Sequence, residues 1–140
     1  MVTGVQTCAL PISDRNVPGD IEIWYMKIPV EVLAVGSEAA AIDSRIALQR
    51  DEHVIVKKRV SVFHGTYLSS MLKNIGVDTV IATGVTAASC VRNTIEDAIA
   101  DGFRPIAVKE GSGDRVAGAV GWNLFDIDTK FSDVEPLKNV

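Results

Sequence analysis

The chain has 140 residues, of which 14 are basic and 18 acidic, and its formal net charge is −4. This balance argues against a nucleic-acid-binding domain, which usually carries a concentrated basic surface. The composition, 47 % hydrophobic and 23 % charged, is that of an ordinary globular domain, and no apolar run approaches the roughly 18 residues of a membrane span, so we expect a soluble cytoplasmic domain.

Residues 2–12, VTGVQTCALPI, resemble the translation of a common sequencing-adapter oligonucleotide. We therefore expect residues 1–20 to be a disordered or artefactual terminus in which Cys8 carries no chemistry. Residues 21–140 are expected to form one domain. The short apolar pieces between residues 21 and 52 show no period that decides between helix and strand.

From residue 53 the pattern of elements becomes clearer. The β-branched run HVIVKK, residues 53–58, predicts a strand. Thr66 is a good N-cap for a helix over 67–75, which Gly76 can end. The apolar side chains of that helix recur at i, i+3, i+4 and i+7 and therefore share one face: Leu68, Met71, Leu72 and Ile75.

Strands and helices alternate through the rest of the chain. The apolar run DTVIATG, residues 78–84, predicts a strand buried on both faces at the centre of a parallel sheet. A helix over 88–101, a strand over 104–110, a helix over 113–130 and a short strand within 131–137 follow. Such alternation produces right-handed βαβ crossovers, so we predict an α/β fold: a three-layer, Rossmann-like parallel sheet with helices on both faces.

Cys90 is the first candidate for chemistry. In open α/β sheets ligands bind beyond the carboxyl ends of the strands, and the segment GVTAASC, residues 84–90, places Cys90 in the first turn of a helix at such an end. The positive end of a helix favours a thiolate, and its N–H groups can stabilise the oxyanion that forms when a thiolate attacks a carbonyl. The alternative is a small buried apolar side chain, the more frequent role of a cysteine outside a disulfide.

Lys57 and Lys58 stand at the end of the predicted strand 53–58. Alternation sends their side chains to opposite faces, so one of them can face the cleft. A lysine near the thiol favours the thiolate electrostatically and can orient a substrate. The alternative is a solvated strand end that carries a basic cluster.

Three motifs follow one another between residues 57 and 103: K-x-R-x-S-x-F-x-G-T, the strand DTVIATG, and the cysteine segment C-V-R-x-T-x-x-D-A. In this order and at these distances they resemble the isochorismatase-like cysteine hydrolase superfamily, which includes nicotinamidases and the ureidoacrylate, maleamate and N-carbamoylsarcosine amidohydrolases. The continuation, with its GDR and NLFDID segments, is most similar to the carbamoylsarcosine and maleamate branch. The resemblance covers nearly everything after residue 21 and implies an isochorismatase-like fold.

The resemblance implies a triad of aspartate, lysine and cysteine, in which Cys90 matches the nucleophile and Lys57 the catalytic lysine. It also implies a cis peptide between Val85 and Thr86, and an oxyanion hole formed by the N–H groups of Thr86 and Cys90. The cysteine of such a triad attacks an amide or ureide carbonyl, releases ammonia and is freed by water through a thioester. We expect no cofactor.

Arg115, in the GDR segment, is the expected anchor for a substrate carboxylate, because a guanidinium binds a carboxylate through two parallel hydrogen bonds. The alternative is a surface charge paired with Asp114. Phe63 and Trp122 are candidates for the wall of the pocket, although aromatic residues at these positions are equally compatible with the core.

The family's aspartate, at the end of the first strand, has no assignable counterpart. Asp14, Asp20 and Asp43 do not stand in the family's motif. We therefore expect the first strand-helix unit to be missing and predict that the chain hydrolyses carbamoylsarcosine feebly or not at all. His53 and His64 lie on different elements without metal-ligand spacing, so we expect no metal site.

The leading prediction is a cysteine-dependent amidohydrolase that cleaves a C–N bond of a small carboxylated ureide or amide of the N-carbamoylsarcosine type. Maleamate, ureidoacrylate and nicotinamide are alternative substrates within the superfamily. Two other classes stay open: a module that binds a phosphate or nucleotide at the helix N-terminus over 86–90, and a catalytically dead fragment or assembly subunit. We expect a small-molecule substrate, a homo-oligomer, and neither a nucleic-acid nor a membrane partner.

Overall fold

The structure, a computed structural model, describes residues 34, 36–46, 50 and 52–140. The chain divides into two compact units. The larger one contains residues 67–140, and the smaller one contains the described residues up to Thr66.

The smaller unit has little regular secondary structure among its described residues. A short 3₁₀ turn covers Glu38–Ala40 and begins at Ser37, whose side chain accepts a hydrogen bond from the Ala40 N–H. The predicted strand over 53–58 is wrong, since residues 52–56 have no regular structure and Lys57 forms a single bridge. β-branched residues favour an extended backbone, but a strand forms only where a neighbour continues the ladder.

The side chains of this segment nevertheless alternate as those of an extended chain do. Ile55 and Lys57 are each 1 % exposed, whereas Val54 and Val56 are 42 % and 53 % exposed. The alternation predicted for this stretch is therefore present without a strand, and it places Lys57 on the buried side.

The first helix of the larger unit, α1, spans Leu68–Asn74, so the helix predicted over 67–75 is confirmed. Gly76 ends it, with a φ of +74° that favours glycine. The Gly76 N–H donates to the carbonyl of Lys73, and the Val77 N–H donates to that of Leu72. These are the two bonds of a Schellman motif.

Thr66 does not cap this helix, and that prediction is wrong. The N-cap residue is Tyr67, whose side chain makes no capping bond. The Thr66 hydroxyl donates instead to the carbonyl of Val62, at 2.6 Å, because it serves the turn that precedes the helix.

Three parallel strands form the sheet of the larger unit, in the order β1-β2-β3, and two helices connect them. In chain order these elements are β1 Thr79–Val85, α2 Arg92–Ala100, β2 Arg104–Gly113, α3 Ala117–Lys130 and β3 Asp133–Glu135. The predicted alternation and the parallel sheet are confirmed. The sequence predicts a central place for β1; among the described strands β2 lies between β1 and β3, and Thr83 and Val85 of β1 are exposed.

Helices α2 and α3 pack on one face of this sheet. The shared core consists of apolar side chains from both helices, from the turn before α2 and from the first two strands: Ala82, Val91, Ile95, Ala107, Leu124 and Ile127. Ala82 and Ala107 are register partners, so they mark the same face of the sheet. In the part of the chain that the structure describes, no helix has the length and apolar character needed to cross a membrane.

The register between β1 and β2 contains an irregularity that shapes the end of the sheet. Ala82 pairs with Ala107, and Gly84 pairs with Ser112, so one residue of β1 lies opposite four residues of β2 between these two pairs. The next pair is Val85 with Gly113. The Ser112 hydroxyl donates to the Val108 carbonyl at 2.8 Å and closes this bulge. A Cβ on Gly111 would lie 2.9 Å from Thr83 Cγ2, so the bulge requires a residue without a side chain there.

The bulge also explains where the next helix begins. Because β2 continues to Gly113, the segment predicted as the start of a helix over 113–130 is a strand end followed by a loop. Helix α3 therefore begins at Ala117 and ends, as predicted, at Lys130.

Candidate active site

The carboxyl ends of β1 and β2 lie side by side, because Val85 and Gly113 are register partners. The peptide bond between Val85 and Thr86 is cis, at the position that the family resemblance implies. Two segments therefore leave the sheet at the same level. One leads through Thr86 to Cys90, and the other leads through Gly113 to Asp114 and Arg115.

Cys90 lies in a wide π turn, Ala87–Val91, that precedes α2. The Thr86 carbonyl accepts hydrogen bonds from the N–H groups of Ser89 and Val91, both at 3.1 Å. The bond to Val91 joins residues five apart, which defines a π turn, a geometry that occurs frequently at functional sites. Ala87 and Val91 are buried, whereas Cys90 is partly exposed. Cys90 therefore lies between two buried residues, Ala87 and Val91, but is itself not packed in the interior.

Asp114 connects the two segments. Its Oδ2 accepts a hydrogen bond from the N–H of Ala88 at 3.0 Å, and its Oδ1 accepts one from the N–H of Arg115 at 2.7 Å. A carboxylate at this position suits the first turn of a helix, where N–H groups lack intrahelical partners. We missed this role in the sequence, where Asp114 entered only as a partner for the Arg115 guanidinium. The sequence carries no local signal for this role, because the predicted strand ended at residue 110 and a helix was predicted from Gly113.

Arg115 is exposed, and no acidic side chain of the described residues lies within ion-pair distance of its guanidinium. Its contact with Asp114 is made by the backbone N–H and not by the guanidinium. Its assignment as a carboxylate anchor stays a prediction.

Lys57 and Phe63 belong to the smaller unit. Lys57 is 1 % exposed, and its Nζ donates to the carbonyls of Arg59 and Val60, at 3.1 and 2.6 Å. A buried ammonium needs such acceptors, and these two bonds satisfy two of its three donors. Phe63 is 8 % exposed, and its N–H donates to Ser61 Oγ at 3.1 Å.

Trp122 lies on α3 and is 67 % exposed, so it is not a core residue. Its ring centroid is 5.8 Å from that of Phe125, which is also exposed. The two rings form a small aromatic patch on the surface of the helix. Whether Trp122 or Phe63 contacts a substrate stays a prediction.

A network of charged side chains supports the helix that follows Cys90. Arg92 contacts Asp126 of α3 at 2.6 Å and Glu96 of its own helix at 2.8 Å. Asp126 also pairs with Lys130. The hydrogen bond from Lys130, and after it that from Arg92, holds the pKa of Asp126 below its usual range. The guanidinium of Arg92 further stacks on Phe131, 5.4 Å from the ring centroid.

Asp43 is the one aspartate of the three considered in the sequence that the structure describes, since Asp14 and Asp20 lie outside the described residues. Hydrogen bonds from the side chain and backbone of Arg45 hold the pKa of Asp43 far below its usual range, so this carboxyl is a poor general base. Within the described ranges, no group of three or more His, Cys, Asp or Glu side chains could hold a metal ion.

Known proteins of the same fold include a cysteine hydrolase from Pseudomonas syringae pv. phaseolicola, with a TM-score of 0.86 and 22 % identity over 96 % of this chain and 69 % of that one. An isochorismatase-like hydrolase from Alkaliphilus metalliredigens superposes with a TM-score of 0.75 and 29 % identity, over 81 % of this chain and 62 % of that one.

In sequence, the chain is 55 % identical to an N-carbamoylsarcosine amidase of an Arthrobacter species over 86 % of its own length and 46 % of the relative's. It is 40 % identical to a maleamate amidohydrolase of Pseudomonas putida over 80 % of its length and 53 % of the relative's. The chain thus spans about half the length of these curated relatives. The model of the isochorismatase domain matches residues 21–135, and the chain therefore belongs to the isochorismatase family.

Proposed function

We propose that this chain carries the nucleophile site of a cysteine-dependent amidohydrolase, which cleaves a C–N bond of a small carboxylated ureide or amide. The observation that carries the proposal is the position of Cys90, which is partly exposed in the turn that follows β1, next to the loop that carries Arg115. The 55 % identity to an N-carbamoylsarcosine amidase makes a carbamoyl amino acid the first substrate to test.

In the proposed reaction, the thiolate of Cys90 adds to the substrate carbonyl carbon. The N–H groups of Thr86 and Cys90 are the proposed donors to the resulting oxyanion. Collapse of this intermediate breaks the C–N bond, and the nitrogen leaves as ammonia after taking up a proton. A thioester on Cys90 remains. Water then adds to the thioester carbonyl, the C–S bond breaks, and the thiolate is regenerated.

Lys57 is the proposed catalytic lysine. This assignment is supported by the burial of the Lys57 ammonium and by its hydrogen bonds to the carbonyls of Arg59 and Val60. These contacts fix the position of the ammonium, whereas an ordinary surface lysine moves freely in water. We assign no aspartate as the general base. The expected rate of turnover is therefore low, because proton transfer by a positioned base contributes about 10² to 10⁴ in rate.

Acyl-enzyme trapping tests this proposal independently of fast turnover. The chain is mixed with N-carbamoylsarcosine and quenched in acid, and the mass added to the peptide that contains Cys90 is measured together with the ammonia released. We expect up to one acyl group on Cys90 and at least as much ammonia, since every thioester that water hydrolyses has already released its ammonia, and neither product with Cys90→Ser. Ammonia release by Cys90→Ser at the wild-type rate would contradict the proposal. Maleamate, assayed in parallel, separates the two substrate classes.

A further inference from the structure

Asp114 contacts the turn of Cys90 through one carboxylate oxygen and the loop of Arg115 through the other. We propose that Asp114 is a positioning residue, which sets where Arg115 holds a substrate carboxylate relative to the Sγ of Cys90. The inference rests on the proposed function and extends it from the nucleophile to substrate recognition.

The geometry of Asp114 requires a carboxylate. Its two oxygens accept from two different backbone N–H groups, of Ala88 at 3.0 Å and of Arg115 at 2.7 Å. Ala88 stands two residues before Cys90 and 26 residues before Asp114. Because the two N–H groups approach different oxygens, an asparagine in the same rotamer would accept from one of them and turn its NH₂ group toward the other. Hydrogen bonds to an ionised acceptor are also roughly twice as strong as neutral ones.

The backbone geometry before Asp114 brings its carboxylate close to the turn of Cys90. The bulge in β2 brings Gly113 into register with Val85, and a Cβ on Gly113 would lie 3.0 Å from Val85 Cγ1. The ends of β1 and β2 therefore approach each other closely, and beyond them the backbone separates into the turn of Cys90 and the loop of Arg115. Beyond this point, the Asp114 carboxylate maintains the spacing between them.

Two alkylating reagents of nearly equal size provide the test, because they differ in one carboxylate. Iodoacetamide is neutral, and iodoacetate carries the charge that Arg115 is proposed to bind. In both reactions the Cys90 thiolate displaces iodide from carbon. The quantity measured is the ratio of the iodoacetate rate to the iodoacetamide rate at Cys90, followed by peptide mapping so that Cys8 is counted separately. The same ratio in the guanidinium-denatured chain is the reference.

We expect the folded wild-type chain to have a higher ratio than the denatured chain, and Arg115→Gln to lower it to the reference. Asp114→Asn and Asp114→Ala are expected to lower the ratio by about two- to tenfold, the factor that corresponds to one net hydrogen bond. This direction is diagnostic, because removal of a negative charge would by itself raise the rate with iodoacetate. In the double variant of Asp114→Asn with Arg115→Gln, the ratio is expected to equal that of Arg115→Gln alone.

Asp133→Asn is the matched control. Asp133 lies at the start of β3 and pairs with Arg104 on the surface, away from the carboxyl ends of the strands. We therefore expect the Asp133→Asn variant to have the same ratio of alkylation rates as the wild type. Circular dichroism establishes that each variant is folded before it is labelled.

Two outcomes contradict the inference, and they differ. If both Asp114 variants keep the wild-type ratio while Arg115→Gln lowers it, Arg115 binds carboxylates but Asp114 does not position it. If Arg115→Gln itself keeps the wild-type ratio, the carboxylate anchor of the proposed function is wrong, and the inference falls with it.

Discussion

The Nη2 of Arg92 lies 2.6 Å from the Oδ2 of Asp126, and this contact joins the helix that follows Cys90 to α3. Both side chains are largely covered, with 24 % and 11 % of their side-chain surface exposed. We expect Arg92→Ala to lower the Tm by about 5 °C, because it removes the contacts with Asp126 and Glu96 and the stacking on Phe131. Differential scanning calorimetry measures the change.

Arg104→Ala is the matched control for that substitution. Arg104 pairs with Asp133 at 2.9 Å, but the two side chains are 70 % and 56 % exposed. Exposed ion pairs contribute little because water and salt screen them. Equal losses of Tm in Arg92→Ala and Arg104→Ala would contradict the interpretation that the Arg92 contact ties the two helices together.

The same contact predicts a dependence of stability on pH. Lys130 first, and Arg92 after it, hold the pKa of Asp126 below its ordinary value of 3.8. A carboxyl whose pKa is lowered by folding contributes stability that is fully present above its ordinary pKa and is lost as the pH falls through its folded value. The difference in Tm between the wild type and Asp126→Asn should therefore shrink as the pH is lowered from about 5 to about 2. A difference that stays constant over this range would exclude a charged Asp126 as its cause.

The bulge in β2 predicts opposite effects of glycine-to-alanine changes at two positions. At Gly111 a Cβ would lie 2.9 Å from Thr83 Cγ2, so Gly111→Ala should destabilise the chain by about 1–3 kcal/mol through overpacking. At Gly121, in α3, a Cβ would meet open space, so Gly121→Ala should stabilise the chain by about 0.5–1 kcal/mol through helix propensity. Urea unfolding measures both. Thr83→Ala should rescue much of the Gly111→Ala loss, and failure of that rescue would argue against the proposed clash.

The two neighbouring lysines provide a test of the proposed chemistry. Lys57→Met should reduce acylation of Cys90 and ammonia release by about 10² to 10⁴, because it removes the proposed catalytic ammonium while keeping an unbranched side chain. Lys58→Met is the control, since Lys58 occupies a variable position of the family motif. Single-turnover acylation, followed by mass, measures both variants. Loss of acylation in Lys58→Met alone would reverse the assignment of the two lysines.

The features that the sequence predicted correctly depend on residues close together in the chain. The period of α1 and its end at Gly76, like the end of α2 at Gly102, follow from local spacing and from glycines with a positive φ. The prediction that Cys90 follows a strand, in the first turn of a helix, also rested on one continuous segment; the structure has Cys90 in the π turn that leads into α2.

Apart from the local error at Thr66, the errors concern partners that are distant in the chain. The run at 53–58 has the composition of a strand but pairs only at Lys57, and among the described strands β2 lies between β1 and β3 although the composition of β1 predicted a central strand. The contact of Asp114 with Ala88 depends on the bulge in β2, and a bulge of this kind has no periodic signal. The cis peptide after Val85 entered through the family resemblance and not through local propensity.

The wide turn between Thr86 and Val91 has a consequence for alignment and for engineering. It contains one residue more than an α-helical turn. The loss or gain of a single residue there would therefore change the direction in which the following side chains point around the helix axis. Point substitutions do not change the orientation of the following side chains. Homologues are therefore best matched on the carbonyl of Thr86 and the amide of Val91, and library designs should vary residue type in this loop while holding its length constant.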